Sequence, residues 1–181
     1  ESLEYGLIRQ ADPKKASLVV DMGALSTNYL ILENNIIKHF FSNTEGGQEL
    51  IADLSKEFQT PINTIIQQKE KNNFDKKYLP KIERFIEHNY KVAQKIIDYK
   101  KDEIKNIDEI FLTGEFLNLP KFFETAQKFF PKKQISIGDP RKYLAIEVAK
   151  FKAPATDNQT YYSTYFINAV GVALRALLAK D

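Results

Sequence analysis

The feature that most limits what this chain can fold into is Ser17-Leu18-Val19-Val20-Asp21. It is a near-continuous apolar run that ends in an acid, the pattern of a buried strand. Two more β-rich runs follow, Thr27 to Glu33 and Ile36 to Ser42. Asn34-Asn35 lies between them, where a hairpin turn needs residues that tolerate positive φ. The chain is therefore expected to open with three strands, the last two antiparallel. Ahead of them, Glu1 to Gln10 suits a short helix and Asp12-Pro13-Lys14-Lys15 a turn.

After Gly46-Gly47 the period changes. Leu50, Ile51, Leu54 and Phe58 recur at three- and four-residue steps, which marks a helix. Thr60-Pro61 reads as an N-cap followed by proline at the first helical position, opening a helix with Ile62, Ile65 and Ile66 that runs to Asn72-Asn73. Asp75 is the expected N-cap of a long helix, with Pro80 tolerated near its start. Leu79, Ile82, Ile86, Ala93 and Ile96 form one stripe of it. The β pattern returns at Asp108 to Thr113, closed by Gly114. Leu119 to Phe130 reads as a helix, Gln134 to Gly138 as a strand and Asp139-Pro140 as a turn. Tyr143 to Ala155 has no clear pattern, and Thr164 to Ala179 is an apolar terminal helix. This order predicts an α/β fold with a mixed sheet and a helical insertion. Residues 1–54 and 106–181 would form the main lobe, and the Lys-rich segment 55–105 an inserted, mainly helical subdomain.

Composition removes several classes of function. At 181 residues the chain makes one domain or two small lobes and can bury a core without staples. With no cysteine there is no disulfide, thiolate metal site or cysteine nucleophile. The two histidines, His39 and His88, lie far apart and do not suggest zinc. A net charge of +2 gives no reason to expect nucleic acid. No run approaches the roughly 18 apolar residues of a membrane span. No signal-peptide pattern is present, and the first residue, Glu1, suggests a chain cut from something longer. His39, His88 and the cluster of Lys69, Lys71, Lys76 and Lys77 are most simply surface groups.

Three places have the chemistry of a site. In Asp21-Met22-Gly23-Ala24-Leu25-Ser26-Thr27-Asn28, an acid ends a buried strand and a glycine follows in a tight turn. Gly23 lets backbone amides approach an oxyanion, Ser26 and Thr27 carry hydroxyls to donate, and Asp21 suits Mg²⁺ held through water. The same pattern also describes a strand corner whose acid caps backbone amides. In Ile110-Phe111-Leu112-Thr113-Gly114-Glu115, an apolar strand ends in glycine ahead of a helix, where open α/β sheets bind ligands. It is equally a plain strand-to-helix turn. Gly46-Gly47 at a helix start can face an anion, with Lys69 some twenty residues on, or can serve only as cap and turn.

Taken in order, these stretches resemble the actin-like ATPase superfamily, whose lobes are ribonuclease H-like. Within it they resemble the PilM type of type IV pilus assembly proteins, related to FtsA-like division proteins. Leu18 to Asn28 resembles the second phosphate motif, and Glu45-Gly46-Gly47-Gln48-Glu49-Leu50 the glycine-pair segment. Phe111 to Pro120 resembles the adenosine motif with its Asn-Leu-Pro, and Val170 to Arg175 the terminal helix. The first phosphate motif has no counterpart, so the resemblance covers the second half of such a protein. It implies ATP and Mg²⁺ as ligands, weakly bound or absent in this half alone. Asp21 would serve Mg²⁺ and water, Gly23 and Thr27 the phosphates, Gly114 with Glu115 the adenosine, and Lys69 the nucleoside.

Two positions depart from the family pattern. Ile66 stands where the Glu of a Glu-x-x-Lys pair would accept from ribose, and Glu115 and Phe116 stand where the adenosine motif has further glycines. The resemblance implies a cytoplasmic scaffold, peripheral to the inner membrane, that binds a PilN-like membrane-protein tail and other pilus-assembly proteins. Self-association and, at most, weak ATPase activity go with it, and this half alone is expected to be inactive. The alternatives are an adaptor with a decayed nucleotide site, an FtsA-like division protein and a sugar-kinase-like ATPase.

Overall fold

The computed structural model describes residues 14–34 and 36–138. Strand β1 (Ala16–Met22) is buried at every position and lies at the centre of a five-stranded sheet. It pairs antiparallel with β2 (Thr27–Glu33), which pairs antiparallel with the edge strand β3 (Ile36–Asn43). On its other side it pairs parallel with β4 (Ile107–Thr113), which pairs parallel with β5 (Gln134–Ile137). The order is β3-β2-β1-β4-β5. The mixed α/β sheet expected from the opening run is therefore present. Its continuous apolar character follows from a central strand that is covered on both faces.

Four helices complete the described fold: α1 (Gly47–Phe58), α2 (Ile62–Glu70), α3 (Leu79–Lys100) and α4 (Phe122–Phe129). Leu18, Val20, Met22, Tyr29, Ile31, Ile110 and Leu112 point to one side of the sheet and share a core with Leu50, Leu54, Ile82, Ile86, Tyr90 and Phe122 of the helices. Val19, Leu30, Leu32 and Phe111 alternate to the other side and form a second, smaller cluster. The first core includes Ile65, Ile82, Ile86 and Ala93 along with the strands. The segment 55–105 thus shares its core with the sheet, and residue 55 falls inside α1.

Local chemistry shifts several element ends. Asn34 takes φ 54° in the β2–β3 turn, as its place there required. Thr60 does not cap α2; Pro61 is the N-cap, and the Thr60 hydroxyl instead donates to the carbonyl of Phe58 and accepts from the Tyr78 hydroxyl. Asp75 caps a 3-10 turn, Lys76–Tyr78, accepting from the Lys77 amide at 3.0 Å, and α3 begins only after it. Helix α4 starts at Phe122, not Leu119. Leu119 precedes a proline, which disfavours helical geometry, and Lys121 is left-handed at φ 62°. The expected helix at 1–10, the Asp139-Pro140 turn, segment 143–155 and the terminal helix at 164–179 lie outside the described residues.

The stripe expected on α3 omits its most consequential members. Asn89 and Tyr90 are fully buried, while Leu79 is only half-buried. The Tyr29 hydroxyl donates to Asn89 Oδ1 at 2.9 Å, and Asn89 Nδ2 donates to the carbonyl of Phe85 at 3.1 Å. The Tyr90 hydroxyl donates to the carbonyl of Phe122 at 3.2 Å, and its ring meets Phe122 and Phe130 edge-on. Burial pushes both phenols above their ordinary pKa of 10.0 and keeps them neutral donors. The Tyr29–Asn89 bond fixes the roll of α3 on the sheet and the Tyr90–Phe122 bond ties it to α4, because a buried polar atom without a partner is costly. Tyr29→Phe is expected to destabilise the fold by about 1–3 kcal/mol, the cost of stranding a buried acceptor. Urea denaturation of the variant, with no loss of midpoint, would contradict this.

Candidate functional site

Strands β1 and β4 are parallel neighbours, so their carboxyl ends lie side by side. Asp21 stands opposite Thr113 in register. The acid-glycine corner after β1 and the Thr-Gly corner after β4 therefore meet at one edge of the sheet. The contact is direct: the Phe116 amide donates to the carbonyl of Met22 at 3.2 Å. Gly114 has φ +105°, and a side chain there would run into the Met22 backbone. Only glycine allows β4 to leave the sheet against β1 in this way.

The start of α1 joins the same place. The Gly47 amide donates to the carbonyl of Gly23 at 3.0 Å and the Gln48 amide to that of Ala24 at 2.8 Å. Thr27 Oγ1 donates to the carbonyl of Glu45 at 3.0 Å. Gly46 is the N-cap of α1 and is buried. The first amides of α1, which face an anion in the glycine-pair reading, are here taken up by the Gly23–Ala24 turn. Thr27 is likewise engaged with the backbone. Ser26 is half-buried, and its carbonyl accepts from the Gly23 amide at 3.0 Å.

Asp21 is 7% exposed, and this burial pushes its carboxyl above the ordinary value of 3.8, against a weaker opposing hydrogen bond from Asn28 Nδ2 at 3.4 Å. Ser42 in turn donates to Asn28 Oδ1 at 2.8 Å. Thr113 Oγ1 is buried without a hydrogen-bond partner. Among the described residues no group of three or more His, Asp or Glu is placed to hold a metal. Mg²⁺ at this corner would rest on Asp21 through water.

The adenosine side has a different character. Lys69, on the last turn of α2, is 4% exposed. Its ammonium forms an ion pair with Glu115 and lies 4.1 Å from the centre of the Phe116 ring. Asn118 Nδ2 donates to the Lys69 carbonyl at 3.2 Å. Phe116 is 1% exposed, and its ring presses on Gly47 so closely that any side chain at position 47 would enter it. The loop after β4 and the end of α2 therefore touch directly. The two residues that depart from the family pattern, Glu115 and Phe116, are the ones that the Lys69 ammonium meets. Asn118 is the Asn of the Asn-Leu-Pro that follows the adenosine-like motif, and the structure gives it a bond to the Lys69 carbonyl.

The remaining singled-out residues are at the surface. His39 lies 3.5 Å from Glu103, and His88 3.0 Å from Glu45. Lys71, Lys76 and Lys77 are exposed. Lys69 is the exception in its cluster, buried where a solvated group was expected.

No family model and no curated protein matches the sequence. Solved structures do. The chain superposes on a PilM–PilN type IV pilus biogenesis complex with a TM-score of 0.79 at 16% identity, covering 97% of this chain and 51% of that one. The fold is that of the actin-like ATPases. The ethanolamine utilization protein EutJ from Carboxydothermus hydrogenoformans gives a TM-score of 0.65 at 16% identity, covering 96% of this chain and 54% of that one. An archaeal actin homologue gives 0.65 at 15% identity, with coverages of 99% and 53%. The chain spans about half the length of the actin-like chains it matches. Within this actin-like lobe, the corners after β1 and β4 and the start of α1 are one bonded unit.

Two outcomes follow. Glu115→Ala leaves the Lys69 ammonium buried without its carboxylate and is expected to cost about 2 kcal/mol. Lys69→Met removes the charge and keeps contact with Phe116, and is expected to cost less. Chemical denaturation of both variants checks this order. For Asp21, the folded-state pKa is raised, so the folded chain binds the proton more tightly than the unfolded one. Stability from this group therefore falls as pH rises from about 4 through the raised value. The stability of Asp21→Asn relative to the native chain is expected to grow across that window and then level off. Denaturation series from acid to neutral pH would refute this if the difference stayed flat.

Proposed function

We propose that this chain is one lobe of an actin-like scaffold that works through protein partners in a type IV pilus or related secretion machine, with no nucleotide held in this lobe. The single observation that supports the nucleotide-free part is the set of direct contacts that Lys69 makes with Glu115, Phe116 and Asn118 beside Gly114. A scaffold of this kind keeps the lobe's shape while supplying by ion pair and ring what a bound ligand would otherwise supply. The partner reading is supported by the likeness to PilM in a complex with PilN. The partner would be the cytoplasmic tail of a PilN-like membrane protein, which would hold the scaffold at the inner membrane. No described helix is long and apolar enough to cross a membrane.

A second reading has the full protein bind ATP and Mg²⁺ as a structural or switching ligand. One observation favours it: Thr113 Oγ1 is buried without a partner opposite Asp21, at the strand ends where α/β sheets bind ligands.

Calorimetric titration of Mg-ATP into the full-length protein separates the two. The expected result is no saturable binding. Micromolar binding that is lost in Asp21→Ala would overturn the nucleotide-free reading in favour of the second. Phosphoryl transfer to a sugar in a coupled assay would overturn both. A pull-down with a PilN-like tail peptide is expected to retain the full-length protein.

A further inference from the structure

Helices α1 and α3 face each other with opposite charge. Glu45, Glu49, Asp53 and Glu57 recur every four residues at and along α1, and Lys77, Lys81, Arg84 and His88 at three- and four-residue steps at and along α3. The end rungs of this ladder are closed. Lys81 bonds Glu57 at 2.6 Å and Asp53 at 3.3 Å, and these carboxylates raise its pKa. His88 meets Glu45 at 3.0 Å. Since Glu45 meets His88 while Glu57 meets Lys81, the two helices run in opposite directions here. The middle rung is open: among the described residues, neither the Glu49 carboxylate nor the Arg84 guanidinium has a hydrogen-bond or ion-pair partner, and both are exposed. A groove of about 530 Å³ lies between them, with Leu50, Phe58 and Phe85 on its apolar lining.

We infer that this groove docks an amphipathic helix of a partner protein, with an acidic flank toward Arg84 and a basic flank toward Glu49. The inference rests on the adaptor reading above and names a surface for it. A third helix laid on two antiparallel ones buries its apolar stripe in the seam and sets its flanking charges against the two walls. Walls of a single sign would select a helix of one opposite charge. Walls of opposite sign select a helix charged differently on its two flanks, and like charges across either wall are penalised. The closed end rungs tie the two walls to each other and fix their spacing, so the open rung between them is preorganised for an occupant.

The test uses the full-length protein and three synthetic helical peptides of about 15 residues, enough to span the 12 residues of α1. All carry the same leucine stripe. One has a Glu flank and a Lys flank, one has Glu on both and one has Lys on both. A flank-exchanged peptide is no control, because it docks by reversing direction. At low salt the mixed peptide is expected to bind about tenfold more tightly than either uniform one. Arg84→Glu makes both sides of the open rung acidic and is expected to shift the preference to the all-Lys peptide. Glu49→Lys is expected to shift it to the all-Glu peptide. Amide chemical-shift changes on binding are expected to centre on Leu50 and Phe85. A preference that stays the same in both variants, or shift changes centred elsewhere, overturns the proposal. Mg-ATP binding would overturn the nucleotide-free reading and leave this preference unaffected, so the two failures are distinguishable.

Discussion

The parallel pairing of β1 with β4 is the constraint on which the rest depends. The two strands are separated by more than eighty residues of chain, yet Asp21 and Thr113 end them side by side. A parallel pair needs a long crossover, and here the crossover contains β2, β3 and three helices. Once the pair is formed, Asp21, Gly23 and Gly114 are brought to the same carboxyl end of the sheet. The Met22 carbonyl then accepts the Phe116 amide, and Gly23 and Ala24 accept the first amides of α1. Backbone bonds of this kind leave little freedom for the corner to open without disturbing three elements at once.

The layer of helices is keyed to the sheet by a small number of buried polar atoms. Apolar burial holds α3 on the sheet but does not by itself choose its roll or register, because that driving force is non-directional. The Tyr29–Asn89 bond makes that choice against the sheet and the Tyr90–Phe122 bond against α4, since any other roll strands these groups in the core. The helices of the crossover are tied into the main core in this way. That is why a segment whose composition suggested a subdomain of its own packs with the strands.

The adenosine corner shows how a pattern break can be read only together with its partner. Glu115 and Phe116 in isolation are bulk and charge where the family has glycine. Lys69 in isolation is a buried cation, an expensive group. Placed together they solve each other's problem: the carboxylate neutralises the ammonium, the ring lies beneath it, and Gly47 makes room for the ring. The closed corner and the charged groove between α1 and α3 lie on opposite sides of α1's role. One end of the helix is bound into the strand corners, while its side carries the acidic wall.

Much of the fold was legible in the residues because its signals are local. The alternation of Thr27 to Glu33, the helical spacing of Leu50, Ile51 and Leu54, and the glycine closing Asp108 to Thr113 each declare an element within a few residues. The end at Leu119 and the cap at Thr60 were misread because a proline in a turn and a proline in a first helical turn look alike until the chain path is known. The acid-glycine and Thr-Gly corners were visible as candidates, and their adjacency follows from the sheet. What the sequence could not hold was the pairing of distant side chains. Lys69 and Glu115 stand 46 residues apart, and Tyr29 and Asn89 stand 60 apart. No periodicity links such positions. The sequence by itself set which segments are strands and helices, through spacing and turn chemistry. Only the tertiary structure decided that Lys69 meets Glu115 and Phe116, because what a buried charge meets depends on where the whole chain path brings it.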